Sequence, residues 1–118
     1  MRTSISQIQP YITKDGSEIR ELLHPNQDAV HQQSLAEAVV PPGTSTQLHR
    51  HQLTEEIYHV TSGCGLMTLG DRQFEIGVGD SIAILPGTPH RVENIGNEAL
   101  HILCCCAPAY SHDDTELL

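Results

Sequence analysis

The sequence predicts an all-β domain, a sandwich or barrel of short strands. Three observations carry that prediction. Glycines recur at short intervals, among them Gly43, Gly63, Gly65, Gly70, Gly77, Gly79, Gly87 and Gly96, with prolines interspersed. The segments between them are about six residues long and have strand-type composition. No long stretch repeats apolar residues at helical spacing. Many short strands at close, regular intervals are the pattern of a sandwich or barrel.

Taken in order, "QIQPYI" reads as an edge strand, because Pro10 has no N–H to give to a ladder. "KDGSEIRELL" fits either a short helix capped by Ser17 or a strand after an Asp15–Gly16 turn, and we expect one helical turn. "SLAEAVV", ahead of "PPG", is a strand. "IYHVTS", "GLMTLG", "QFEIGV", "SIAILP", "HRVENI" and "LHILCCC" follow as further strands. "LGDRQFEI" predicts a hairpin turning at Gly70 and Asp71. "IGNEAL" predicts a second, turning at Gly96 and Asn97. The tail "AYSHDDTELL" is acidic and is expected on the surface.

The chain has 118 residues, which suits a single domain spanning 1–118. Within it we expect an N-terminal strand and turn segment (1–33), a motif core (43–94) and an acidic tail (107–118). Aromatic residues are scarce, so the core must be mainly aliphatic. Fifteen acids against six bases give a formal charge of −9. That balance repels phosphate backbones and anionic lipid heads, so no nucleic-acid or membrane partner is expected. The N-terminus lacks the apolar centre of a secretory signal, so the cytoplasm is the expected location. The four cysteines, Cys64 and the run Cys104, Cys105 and Cys106, show no paired spacing for zinc or redox chemistry. They read as small apolar residues on a strand.

The stretch "LHRHQLTEEIYHV" concentrates polar side chains of the metal-ligating kind. Strand side chains alternate faces, so His49 and His51 point the same way, together with Gln47, and Arg50 points the other. Further on, Glu56, Tyr58 and Val60 share one face, and Glu55, Ile57 and His59 the other. The face bearing Tyr and Val looks inward, which favours Glu56 over Glu55 as a buried carboxylate. A buried carboxylate needs a partner, and a metal ion suffices. Downstream, Pro86, Gly87 and Pro89 turn the chain before His90, which shares its face with Val92 and Asn94. His24, His31, His59, His101 and His112 have no partner at ligand spacing that fits a barrel.

These residues resemble the cupin superfamily, which carries two motifs separated by a short hairpin. The first, G-x5-H-x-H-x4-E-x6-G, is met in full by Gly43, His49, His51, Glu56 and Gly63. The second, G-x5-P-x-G-x2-H-x3-N, is met by Gly79, Gly87, His90 and Asn94. Leu85 occupies the proline position, with Pro86 one place later, a departure that touches a turn and no ligand. The resemblance implies a double-stranded β-helix, the small jelly-roll barrel of cupins, with a metal at its mouth. Carried over by residue, the ligands it implies are His49, His51, Glu56 and His90. Such a donor set suits one divalent transition metal, Mn, Fe, Co, Ni, Cu or Zn, without choosing among them.

The pocket-lining candidates are Gln47, Tyr58, Val92, Cys104 and Cys106, and Asn94 is expected to fix a turn. The reading that follows is a small metalloenzyme acting on a small organic molecule, by dioxygenase-type or Lewis-acid isomerase or decarboxylase chemistry. The alternative is a non-catalytic sugar or small-molecule sensor. Arg50 and Arg91 point away from the ligand face, so a phosphorylated substrate is not expected. Ile57, Leu103 and Cys105 on the outer face suggest a homodimer.

Overall fold

A computed structural model describes residues 1–118. It is built almost entirely of strands: β1 (Tyr11–Ile12), β2 (Glu18–Leu23), β3 (Ser34–Val40), β4 (His49–His51), β5 (Glu55–Ser62), β6 (Cys64–Leu69), β7 (Arg72–Gly77), β8 (Ser81–Ile84), β9 (His90–Asn94), β10 (Leu100–Ala107) and β11 (Thr115–Leu117). One 3₁₀ turn, Ile5–Gln7, precedes them. No helix is long and apolar enough to cross a membrane.

The strands form two sheets. The larger runs β1-β2-β3-β10-β5-β8 and the smaller β11-β4-β9-β6-β7. Between β3 and β10 the chain repeatedly changes sheet, which is the jelly-roll arrangement of a cupin barrel. Side chains alternate strictly along β3 and β9, so each strand sends one face inward. The core between the sheets is aliphatic, as the composition requires. Val60, Met67, Leu100, Ile102 and Val92 are buried within it, and Tyr58 is its one buried aromatic residue.

The change of sheet between β5 and β6 takes a single residue, Gly63, at φ +84°. A Cβ there would lie 2.8 Å from the carbonyl oxygen of Ala99. Both the positive φ and the crowding require glycine. The turn at Gly70 and Asp71 is the hairpin expected, joining Leu69 and Arg72 as paired residues of β6 and β7.

Three local expectations are corrected. The segment after Gly16 is strand β2, not a helical turn. Asp15 accepts from the N–H and the hydroxyl of Ser17, an Asx-type turn that uses Ser17 to reverse the chain instead of capping a helix. Ile19 then points into the core and β2 pairs with β1 and β3. "IGNEAL" is not a hairpin, because β9 pairs with β4 and β6 while β10 pairs with β3 and β5. It is a crossover between sheets, and Asn94 organises it. The Asn94 amide donates to the carbonyls of Val40 and Glu98, and its oxygen accepts from the N–H of Gly96. Finally, the acidic tail is only partly on the surface. Its β11 pairs with β4, setting Thr115 opposite His51, and Thr115 is buried.

Asp114 anchors that tail by accepting from the N–H groups of Leu53 and Thr54. Burial pushes its carboxyl up, but the donors of Thr54 and Leu53 prevail and hold it below its ordinary value. Asp114→Ala is expected to lower the melting temperature by roughly 4 °C at neutral pH, from a contribution of about 1 kcal/mol for a partly solvated carboxylate. A carboxyl depressed in the folded state contributes fully above its unfolded value and loses that contribution as pH falls through the folded one. The gap between wild type and variant in thermal melts should therefore close below about pH 4.

Candidate metal centre

The three residues of β4 put His49 and His51 on its inner face, with Arg50 outside, paired to Glu116. His90 opens β9 directly opposite His49 in the ladder. The turn before it runs from Leu85 to Thr88, closed by the Thr88 N–H on the Leu85 carbonyl. Pro86 and Gly87 fill its centre, with Gly87 at φ +80°, the requirement of a type II turn. The shifted proline is thus accommodated, and the Gly87 N–H donates to the His51 carbonyl at 2.6 Å, tying the turn to β4. Glu56 comes from β5 in the other sheet, so the polar cluster straddles both.

All four side chains are buried, His90 completely. The imidazole nitrogens of His49, His51 and His90 form a set in which every pair of candidate ligand atoms lies within 4.8 Å. Glu56 joins through two of them, its Oε1 being 3.1 Å from His51 Nε2 and 3.5 Å from His90 Nε2.

The tautomers follow from the partners. His49 Nδ1 faces the Gln47 carbonyl at 2.8 Å and His90 Nδ1 the Thr88 carbonyl at 2.9 Å. A carbonyl only accepts, so both Nδ1 atoms carry the proton. His51 Nδ1 lies 2.9 Å from the Thr115 hydroxyl, which itself donates to the Ser111 carbonyl and so accepts from His51. In the neutral form each ring turns a lone pair at Nε2 toward the centre. His90 Nε2 is buried without a hydrogen-bond partner. Glu56 aims a carboxylate oxygen at two of these lone pairs, which is repulsive unless a cation lies between them. The cation is either a proton on an imidazole or a metal ion, and the donor set fits a divalent transition metal. Burial pushes the Glu56 carboxyl up, but a proton carried on Nε2 of His51 or His90 more than offsets this and holds it at about 2. Burial, and then the neighbouring His90, push His49 down, favouring the neutral form a metal needs.

The sequence as a whole agrees with this arrangement. The family model described as "Cupin domain" matches residues 36–106, more than half of the chain. The chain belongs to the cupin family. An uncharacterized protein of Methanocaldococcus jannaschii is 58% identical over 118 residues, covering 100% of this cupin and 94% of that protein. An oxalate-binding protein of Thermotoga maritima is 32% identical over 80 residues, 66% of each chain. Among solved structures, a predicted oxalate decarboxylase from Thermotoga maritima superposes with a TM-score of 0.81 at 27% identity, covering 92% of this cupin and 99% of that chain.

In this cupin the cluster opens onto a cavity of about 40 Å³, room for a few water-sized groups. Its wall carries Asp15, Glu21, Tyr58, Cys104, Cys106 and Tyr110, and no lysine or arginine. An open groove of about 980 Å³, formed by N-terminal residues and the 108–113 segment, shares Glu21 and Tyr110 with the cavity. The groove is the larger space, but the convergent polar chemistry lies in the cavity.

Of the expected lining residues, Tyr58, Cys104 and Cys106 are in place. Cys106 donates its thiol to Glu56 Oε2 at 3.2 Å. Burial, and then the Glu56 charge, push both thiols up, so they stay protonated and are poor ligands. Gln47 is not a lining residue. It lies before β4 begins, where strand alternation does not yet hold, so its side chain is exposed and its carbonyl supports His49. Val92 is not a lining residue either: it is 1% exposed within the core between the sheets. His24, buried outside the cluster, is satisfied by the Tyr110 carbonyl and the Asn26 N–H.

Four contributors were missed: Asp15, Glu21, Tyr110 and Thr115. Asp15 Oδ2 lies 3.5 Å from His49 Nε2. Glu21 accepts from the Tyr11 hydroxyl at Oε1, while its Oε2 is buried without a partner. The "DGS" signal of Asp15 is turn chemistry, and nothing in its spacing points to His49.

Proposed function

We propose that this cupin holds one divalent transition metal through Nε2 of His49, His51 and His90 and a carboxylate oxygen of Glu56, and uses it to act on a small, non-phosphorylated organic molecule. The observation that supports the proposal is the convergence of three buried imidazoles, two of them against the Glu56 carboxylate oxygen, an arrangement that a shared metal ion reconciles. A metal bound there supplies Lewis-acid polarisation of a carbonyl or enol or, as iron or copper, a place for dioxygen.

The chain's own residues do the rest. The carbonyls of Gln47 and Thr88 and the hydroxyl of Thr115 fix the three rings, and Cys106 fixes the outer oxygen of Glu56. Glu21 Oε2 offers a free acceptor to a ligand hydroxyl. The absence of any cation from the cavity wall supports a substrate without phosphate.

Metal content measured on protein purified without a tag tests the proposal: near-stoichiometric manganese, iron, cobalt, nickel, copper or zinc is expected, and a metal-free protein that takes up none on titration would refute it. Thr115→Val, which keeps shape but removes the acceptor for His51 Nδ1, should weaken metal binding about 10–100-fold in a competition titration.

A second reading is a module that holds a small carboxylate without turnover. The 32% identity to an oxalate-binding protein and the small cavity favour it. Incubating metal-loaded protein with oxalate separates the two readings. A thermal shift with no carbon dioxide or formate released indicates binding alone.

A further inference from the structure

We propose that Asp15 is also a metal ligand, so that the centre consists of three imidazoles and two carboxylates with one position open; this inference rests on the four-ligand centre proposed above. Asp15 lies outside both sequence motifs, in the turn before β2. Its two oxygens are used differently. Oδ1 accepts from the Thr13 hydroxyl at 2.7 Å, the Ser17 hydroxyl at 2.6 Å and the Ser17 N–H at 2.9 Å. Oδ2 receives none of these and stands 3.5 Å from His49 Nε2. That nitrogen presents a lone pair, because the Gln47 carbonyl fixes the proton on Nδ1. An oxygen bearing negative charge against a lone pair calls for a cation, as at Glu56.

Asp15 comes within 4.0 Å of one histidine of the three-imidazole cluster, His49, and that separation suits a shared ion. Metal–ligand bonds of about 2.1 Å place adjacent donor atoms roughly 3.0–3.4 Å apart. The Asp15–His49 distance equals the 3.5 Å between Glu56 and His90. The turn is also held in place. The Gln47 N–H donates to the Asp15 carbonyl at 2.8 Å, fastening the turn to the approach to β4. Lys14 donates to the carbonyls of His112 and Thr115, fastening it to the strand that supports His51. The Asp15 side chain is 12% exposed, and no lysine or arginine shares its cavity. Two carboxylates balance the charge of a divalent ion. A ligand needing two adjacent positions must displace one of them.

The test uses manganese(II) on the untagged full chain. Electron paramagnetic resonance in oxygen-17-labelled water counts the exchangeable waters on the bound ion. Wild type is expected to show one and Asp15→Asn two, with manganese affinity weakened about tenfold or more. The asparagine oxygen can still accept from Thr13 and Ser17, so the turn survives, which the melting temperature of the metal-free variant checks. Glu55→Gln removes a carboxylate from the outer face of β5 and should leave the water count at one, separating ligation from overall charge. Two waters in wild type, or no change in Asp15→Asn, would overturn the assignment of Asp15 alone. A wild type that binds no metal would overturn the four-ligand centre with it.

Discussion

His51→Ala protein, purified without a tag, is expected to retain less than about a tenth of the wild-type metal, because losing a ligand costs more than the 10–100-fold attached to losing a supporting partner. Glu56→Gln should behave similarly, since it removes the charge that faces His51 and His90 at 3.1 and 3.5 Å. Glu55→Ala should match wild type, because Glu55 is exposed on the opposite face of β5. The measurement is elemental analysis of matched preparations, with circular dichroism to show that each variant is folded. Equal loss in all three would contradict the assignment of the inner face of β5. The result bears on function directly, since every reading considered for the cavity requires the ion.

The second large effect falls on stability and should leave the metal alone. Asn94 is 3% exposed and its side chain makes three hydrogen bonds across the crossover from β9 to β10. Asn94→Ala removes all three hydrogen bonds, and the loss should be about 2–4 kcal/mol. That is a large fraction of the roughly 5–15 kcal/mol that stabilises a domain. Urea titration should show a lower midpoint with an unchanged slope, while the folded fraction binds metal as wild type does. Loss of metal affinity at full folding would instead place Asn94 in the site. The cupin motif thus combines residues of two kinds, those that face the proposed ion and one that fixes the chain behind them.

Much of this was legible in the sequence, for a physical reason. Strand alternation is strict where a strand is buried on one face, so His49 and His51 could be put on one face and Glu56 on the face of Tyr58 and Val60, while the resemblance to cupins joined them to His90. Gly63, Gly70, Gly79 and Gly87 marked corners because positive φ is a local property, whereas Gly65 lies within β6. What was not legible depended on partners distant in sequence. "IGNEAL" has the composition of a hairpin, yet the edges of β9 were already occupied by β4 and β6. Ser17 could cap a helix or close an Asx turn, and only the pairing of β2 with β3 decides. Asp15 and Thr115 reach the centre from opposite ends of the chain, through contacts that no local pattern encodes. Gln47 failed in the opposite way, because alternation was extended beyond the first residue of β4.

The division of the polar cluster between sheets has a thermodynamic consequence. His49, His51 and His90 belong to the five-stranded sheet and Glu56 to the six-stranded one. An ion held by all four is a cross-link between the two layers, present only in the folded chain. Folding and metal occupancy then become linked equilibria, and resistance to denaturation rises with the logarithm of free metal, by about 2.7 kcal/mol at a hundred times the dissociation constant. In an environment where the metal fluctuates, an ion held there would also set what fraction of the chain stays folded.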